Sequence, residues 1–200
     1  MASNPTDTGR LQNTEEYRRI AERLQESGQY NKFEFFQKWA LTADALQESI
    51  LTIRPHIIHF SGHGKEQNLD LQELAMDLGI NIDDGSGIIL QDSYGKSKIL
   101  KTQALSNMFE IFMNDSDNEI NTVILSACYA EVQAKEISKH IPFVIGVSNR
   151  IGVNAAIEFA TGFYRGLANG KSIEYCYKLG RNKVELENLD GSGSFIFFKK

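Results

Sequence analysis

Pro55-His56-Ile57-Ile58-His59-Phe60-Ser61-Gly62-His63-Gly64 is the stretch on which the fold turns. Residues 56–60 are short, β-branched and mostly apolar without clean alternation, the pattern of a strand covered on both faces. Pro55 ends what precedes them, and the glycine-rich turn from Ser61 to Gly64 ends the strand. Two runs of the same kind follow, Val123-Ile124-Leu125 and Phe143 to Val147, each followed by a helical pattern. Strand alternating with helix predicts an α/β fold of three layers around a mostly parallel central sheet.

Working outward, residues 1–12 are polar and lack a period, so they read as an arm or loop, with 13–200 forming a single domain. Asn13 and Glu16 have capping-box spacing, and Tyr17, Ile20, Ala21 and Leu24 follow at helical intervals, predicting a helix over Thr14–Gln25 stopped by Gly28. Phe33, Phe35 and Phe36 predict a strand, and Ala43, Leu46, Ile50 and Ile53 a second helix. Beyond Gly64, Leu69–Leu78 reads as a short helix. Ile88-Ile89-Leu90 and Ile99-Leu100 flank Ser93-Tyr94-Gly95-Lys96 as a hairpin, and Thr102 caps the helix bearing Leu105, Met108, Phe109 and Phe112. Further helices are expected over Ala130–His140, from Ala156 to Leu167, and from Ser172, with a last strand over Phe195–Phe198.

Composition narrows the function classes. With 42% hydrophobic and 24% charged residues in 200, the chain can bury a core rather than remain disordered. A net charge of -5 has the wrong sign for a protein that neutralises phosphates, which argues against nucleic acid as a main partner. No apolar run approaches a membrane span, and the first residues lack a signal-peptide pattern. Two cysteines make neither a disulfide framework nor a zinc cluster, so the cytoplasm is the expected compartment. Gly62-His63-Gly64-Lys65 lacks the spacing and the Ser/Thr of a P-loop. Asp115 to Glu119 has alternating acids, but Ile120 stands where a calcium loop requires Gly. HExxH, CxxC and GxGxxG are absent, which removes zinc, thioredoxin-like and dinucleotide readings.

Functional groups in open parallel sheets collect beyond the carboxyl ends of the strands. Both His63 and Cys128 lie three residues past such an end, after Phe60 and Leu125. On strands that are neighbours or separated by one other strand, they share one crevice. A thiol is a weak nucleophile until a base takes its proton, and an imidazole can return that proton to a departing amine, so the pair fits acyl transfer. Without Cβ atoms, Gly62 and Gly64 let a peptide carbonyl approach, and the Gly64 N–H can meet a developing oxyanion. By contrast, His56 and His59 sit in the strand, His140 ends a helix, and Cys176 shares an apolar helix face; each reads as structural.

These blocks, with Phe143-Val144-Ile145-Gly146-Val147-Ser148-Asn149 and Gly170-Lys171-Ser172-Ile173-Glu174-Tyr175, resemble the CHAT domain, the bacterial branch of the caspase-like cysteine peptidases, over about Asn4 to Gly180. The resemblance implies a caspase-like fold in which His63 is the catalytic histidine, Cys128 the nucleophile, and the amides of Gly64 and Cys128 the oxyanion hole. It implies endopeptidase action on protein or peptide substrates in bacterial defence or programmed death, with an activating sensor or upstream protease, room for a homodimer, and no cofactor. A catalytically weak interaction module and another amide-cleaving enzyme are the alternatives.

In caspase-like folds the specificity pocket draws on the loop after the first strand, the residue two before the nucleophile, and the loop after the strand ending at Val147. Those positions offer Asp7, Arg10, Ser126, Ser148, Asn149 and Arg150. Ser126 stands where relatives carry Asn or Asp, and Arg150 and Val153 depart from the expected small residue and acid. The arginines suit an acidic residue before the scissile bond, while Asp92, Glu131 and Asp190 suit a basic one, which is the expectation adopted. Asn4 to Leu11 also looks like the loop that follows a first central strand, so that strand is expected to be missing or cut to a stub at Met1-Ala2-Ser3, with the chain trimmed there, another region feeding the sheet, or an edge open to pairing with a second chain.

Overall fold

A computed structural model describes residues 1–27, 30–65 and 87–200 of the chain, so the helix expected over Leu69–Leu78 lies outside the described residues. Helices α1 (Asn13–Glu26) and α2 (Ala43–Ile53) precede strands β1 (Ile57–Ser61), β2 (His63–Lys65), β3 (Gly87–Gln91) and β4 (Ser97–Lys101). There follow α3 (Thr102–Met113), β5 (Thr122–Ser126), α4 (Glu131–Ile137), β6 (Phe143–Val147), α5 (Val153–Ala168), α6 (Ile173–Leu186) and β7 (Phe195–Lys199). The central sheet runs β1-β5-β6-β7, parallel except for the edge strand β7. This is the expected α/β architecture, a mostly parallel sheet flanked by helices.

Alternation along β5 divides the interior. Val123 and Leu125 face one core with Leu46 and Ile50 of α2, Leu105 and Phe109 of α3, and Ile137 of α4; Ile124 faces the other, with Ile20 of α1, Phe159 and Phe163 of α5, and Val184 of α6. All five residues of β5 are buried, which is why this strand reads as a continuous apolar run rather than an alternating one. β1 obeys the same period: Ile58 and Phe60 join the first core. Its alternate position, His59, lies against Tyr164 of α5, their rings stacked 5.7 Å apart.

Three local expectations are corrected. Phe33, Phe35 and Phe36 form no strand; Phe35 instead stacks on Tyr17 of α1 at 5.0 Å. The stub itself is present. Ala2 bridges Ser61 in parallel, and its N–H and carbonyl also meet the Lys38 carbonyl and the Leu41 N–H, so residues 38–41 cover its outer side. Nor do Asn13 and Glu16 form a capping box, because the N-cap is Gln12 without a side-chain bond and Glu16 is turned inward. Thr42 and Ser172 do cap α2 and α6, accepting from the Ala45 and Tyr175 amides. Thr102 opens α3 behind a Lys101 N-cap rather than capping it.

The β3–β4 hairpin is as expected, but it belongs to a second, antiparallel sheet β2-β3-β4. His63 and Gly64, read as a turn, start β2 and pair with Ile89 and Ile88. No helix among the described residues is long and apolar enough to cross a membrane.

Candidate active site

β1 and β5 are adjacent and parallel, with Ser61 opposite Ser126, so their following loops leave the sheet side by side. The Gly62 N–H donates to the Ser126 carbonyl at 3.2 Å and ties those loops together. One residue on, His63 enters β2, while the other chain continues through Ala127 to Cys128. The contact then tightens: a Cβ on Gly64 would lie 1.8 Å from the Cys128 carbonyl oxygen, a distance no side chain can occupy. A glycine is therefore required at 64, and the strand bearing the histidine lies directly against the backbone bearing the thiol. Tyr129 next to that thiol takes a left-handed φ of 57°, a costly conformation for a non-glycine residue.

The imidazole of His63 is fixed through one ring nitrogen. Its Nε2 lies 2.7 Å from the carbonyl of Gly9. A carbonyl only accepts, so Nε2 carries the hydrogen and Nδ1 of the neutral ring keeps the lone pair. The loop bearing Gly9 is anchored in turn: Asp7 accepts from the N–H and Oγ of Ser97, and the Thr6 N–H donates to the Gly95 carbonyl. The hairpin thus pairs with the histidine strand and holds the loop that orients the histidine. Cys128 is half-buried and free, its Sγ 4.0 Å from the Ile151 carbonyl.

A pocket opens beside Cys128. Its walls include Leu11, Ile151, Val153 and Ile157, and Glu16, Ser61 and Ser126 line it with polar groups. Glu16, from the first turn of α1, is 5% exposed. One of its oxygens accepts a hydrogen bond from Ser61 Oγ; Oε1 has no hydrogen-bond partner. Burial outweighs the Ser61 bond and raises this carboxyl above its ordinary 4.5. His59 Nε2 lies 3.5 Å from Oε1, itself without a hydrogen bond. Burial first, and the Met1 ammonium second, hold His59 down to about 3, so it is neutral and this contact is not an ion pair. Glu16 also lines a second cavity with Tyr17, Phe35, Trp39, His59 and Tyr164.

Of the residues expected to bind substrate, only Ser126 lines the pocket beside Cys128. Asp7 serves the hairpin, and Arg10, Asn149 and Arg150 are exposed outside that lining. Ser148 donates to the Ser194 carbonyl. The acids fare likewise: Asp92 accepts from the Tyr94 and Lys96 amides within the hairpin turn, and Glu131 and Asp190 are exposed. Sequence reasoning missed Glu16 as a pocket residue, although Glu16, Ile20 and Leu24 are spaced four apart and fall on one buried face. An acid leading an apolar stripe was the available signal. It also missed the Gly9 carbonyl, because a backbone acceptor leaves no residue-type signature. Cys176 is where the sequence places it, in the core, with burial pushing its thiol up to about 11.

Residues 2–178 match the CHAT domain family. A probable protease of Gillisia limnaea is 25% identical over 190 residues, covering 94% of this chain and 30% of that protein. A Roc-COR-CHAT protease from an unknown prokaryotic organism is 20% identical over 158 residues, covering 78% of this chain and 13% of that protein. The chain thus spans less than a third of the length of either relative.

Proposed function

This chain belongs to the CHAT domain family, and on that premise we propose that it is the catalytic part of a thiol endopeptidase with Cys128 as nucleophile and His63 as general base and acid. The observation that carries the reading is the approach of β2 to the nucleophile loop at Gly64, together with a histidine whose tautomer the Gly9 carbonyl fixes. Nδ1 of His63 takes the thiol proton as Sγ attacks the scissile carbonyl carbon. The tetrahedral oxyanion is met by the amides of Gly64 and Cys128. His63 then gives its proton to the leaving amine, the carbon–nitrogen bond breaks, and a thioester remains on Cys128. Water, losing a proton to Nδ1, attacks that thioester; the carbon–sulfur bond breaks, sulfur regains the proton from His63, and the new carboxyl end departs.

The Gly9 carbonyl stabilises the imidazolium formed midway, since it accepts from Nε2 in both charge states. Substrates are proteins or peptides, cut in the cytoplasm of a prokaryote within a defence or programmed-death response. Because the chain spans only part of its relatives, release of activity by a sensor, an upstream protease or pairing of two copies belongs to the same proposal. Digestion of a peptide library by the chain and by Cys128→Ala tests it. Cleavage by the first and none by the second is expected, and equal cleavage by both would overturn the assignment.

A further inference from the structure

Resting on that peptidase reading, we propose that Glu16 is the specificity-determining residue of the pocket beside Cys128 and that the chain cuts after arginine or lysine. Apart from Cys128 itself, Glu16 is the one ionisable side chain lining this pocket among the described residues. Its neighbours leave it available. Ser61 occupies one oxygen, Oε1 has no hydrogen bond and stands 3.5 Å from the neutral His59 ring, and the Met1 ammonium, which donates to the His59 carbonyl at 2.7 Å, acts on the carboxyl only through its charge. His59 and Tyr164 behind it are neutral, so neither supplies a cation.

The position suits a long side chain. Ser126 precedes Cys128 by two residues, at most about 7 Å of chain. Ser61 is its register partner, so the carboxyl bonded to Ser61 lies one strand across from the nucleophile strand and short of the thiol along it. A substrate residue held at Cys128 would pass its methylenes along Leu11, Ile151 and Ile157 and bring a cationic head to the carboxyl. A guanidinium or ammonium there gives the buried oxygen a charged donor and keeps Glu16 ionised. An acidic side chain would instead bring a second carboxylate into the same enclosure, which is repulsive. Neither arginine expected to favour acids lines the pocket.

The test uses substrates that differ only in the residue before the scissile bond: arginine, its neutral isostere citrulline, norleucine and aspartate. The chain should favour arginine over citrulline in kcat/KM by on the order of 10²-fold or more, and Glu16→Gln should bring that ratio to within about threefold, with a cooperative thermal transition reporting that the variant is folded. Faster turnover of norleucine or aspartate than of arginine overturns the inference and leaves the peptidase reading standing, as does an unchanged ratio in Glu16→Gln. A second measurement needs no turnover. Agmatine should slow iodoacetamide alkylation of Cys128 in the original chain, whereas its neutral urea analogue should not. Protection by agmatine without cleavage of any substrate would sink the peptidase reading alone, and equal protection by both compounds would sink the role of Glu16.

Discussion

Two regions of this molecule contain the same pair of reactive side chains. Beyond the carboxyl ends of β1 and β5, His63 and Cys128 are partly exposed, and the nearest fixed group to the histidine is a carbonyl that leaves one nitrogen free. Within the layer between the sheet and helices α1, α5 and α6, His59 is largely buried and Cys176 fully so; the imidazole is held neutral down to about 3 and the thiol is pushed up to about 11. Burial disfavours the charged form of both, so the interior pair can neither take up nor release a proton near neutrality. The difference lies in the position each residue takes relative to the strand end, one inside the period-2 pattern of β1 and the other beyond it.

Substitution gives the widest separation between the regions. Cys128→Ala and His63→Ala should each lower kcat/KM by on the order of 10⁴ or more, with similar residual rates because the two act as a unit. Cys176→Ser should stay within about threefold at 25 °C, since its thiol is remote from the crevice. Comparable losses from Cys176→Ser and Cys128→Ala, measured on one fluorogenic peptide, would erase the contrast.

A smaller effect is expected from geometry alone. Gly64→Ala places a methyl where the Cys128 carbonyl stands, so β2 or the nucleophile loop must shift. A misplacement near 1 Å is enough to cost about 10²-fold, and the thermal midpoint should fall little, because the displaced segment is a short strand outside the central sheet. Chemical labelling sharpens the same contrast. At pH 8 a thiol at about 11 is ionised to only about one part in 10³, so peptide mass mapping after brief iodoacetamide treatment should find Cys128 modified and Cys176 intact. Equal modification in the folded chain would mean that the helical layer opens on that timescale.

How much of this could be read from the chain depended on whether a signal was local. The buried strands around Ile57, Val123 and Phe143 were legible because apolar β-branched runs bounded by turn residues have few other uses. Strand-end placement of His63 and Cys128 followed from the same runs. The Phe33–Phe36 segment misled, since its aromatic spacing is that of a strand while Phe35 packs its ring on Tyr17 of α1. β2 was invisible: His-Gly-Lys has no strand pattern and exists as one because β3 is there to pair with it. Glu16 failed for a related reason. Its spacing from Asn13 fits a capping box, and only the tertiary position of Ser61 turns the carboxyl inward.

Glu16 and its neighbour Glu15 carry the comparison onto a single helix, with the smallest expected effect. Glu15 faces solvent between Arg18 and Arg19, whose hydrogen bonds pull its carboxyl to about 2. Glu16 is raised by burial. The two shifts act on stability with opposite signs. For Glu16, from its ordinary 4.5 upward the unfolded chain ionises first, so the folded state loses stability as pH rises until the buried carboxyl also ionises. For Glu15 the folded state gains stability above 4.5 and loses it as pH falls toward about 2. Glu16→Gln should therefore leave the midpoint near its original value at pH 4 and raise it at pH 8, by about 2–4 °C if the gain is about 1 kcal/mol. Glu15→Gln should lower it slightly at pH 8, the pair being solvent-screened. Calorimetry of both variants across that range checks the sign as well as the size. A midpoint lowered by Glu16→Gln at pH 8 would mean that the ionised carboxylate stabilises the fold, and that its partner is inside the molecule.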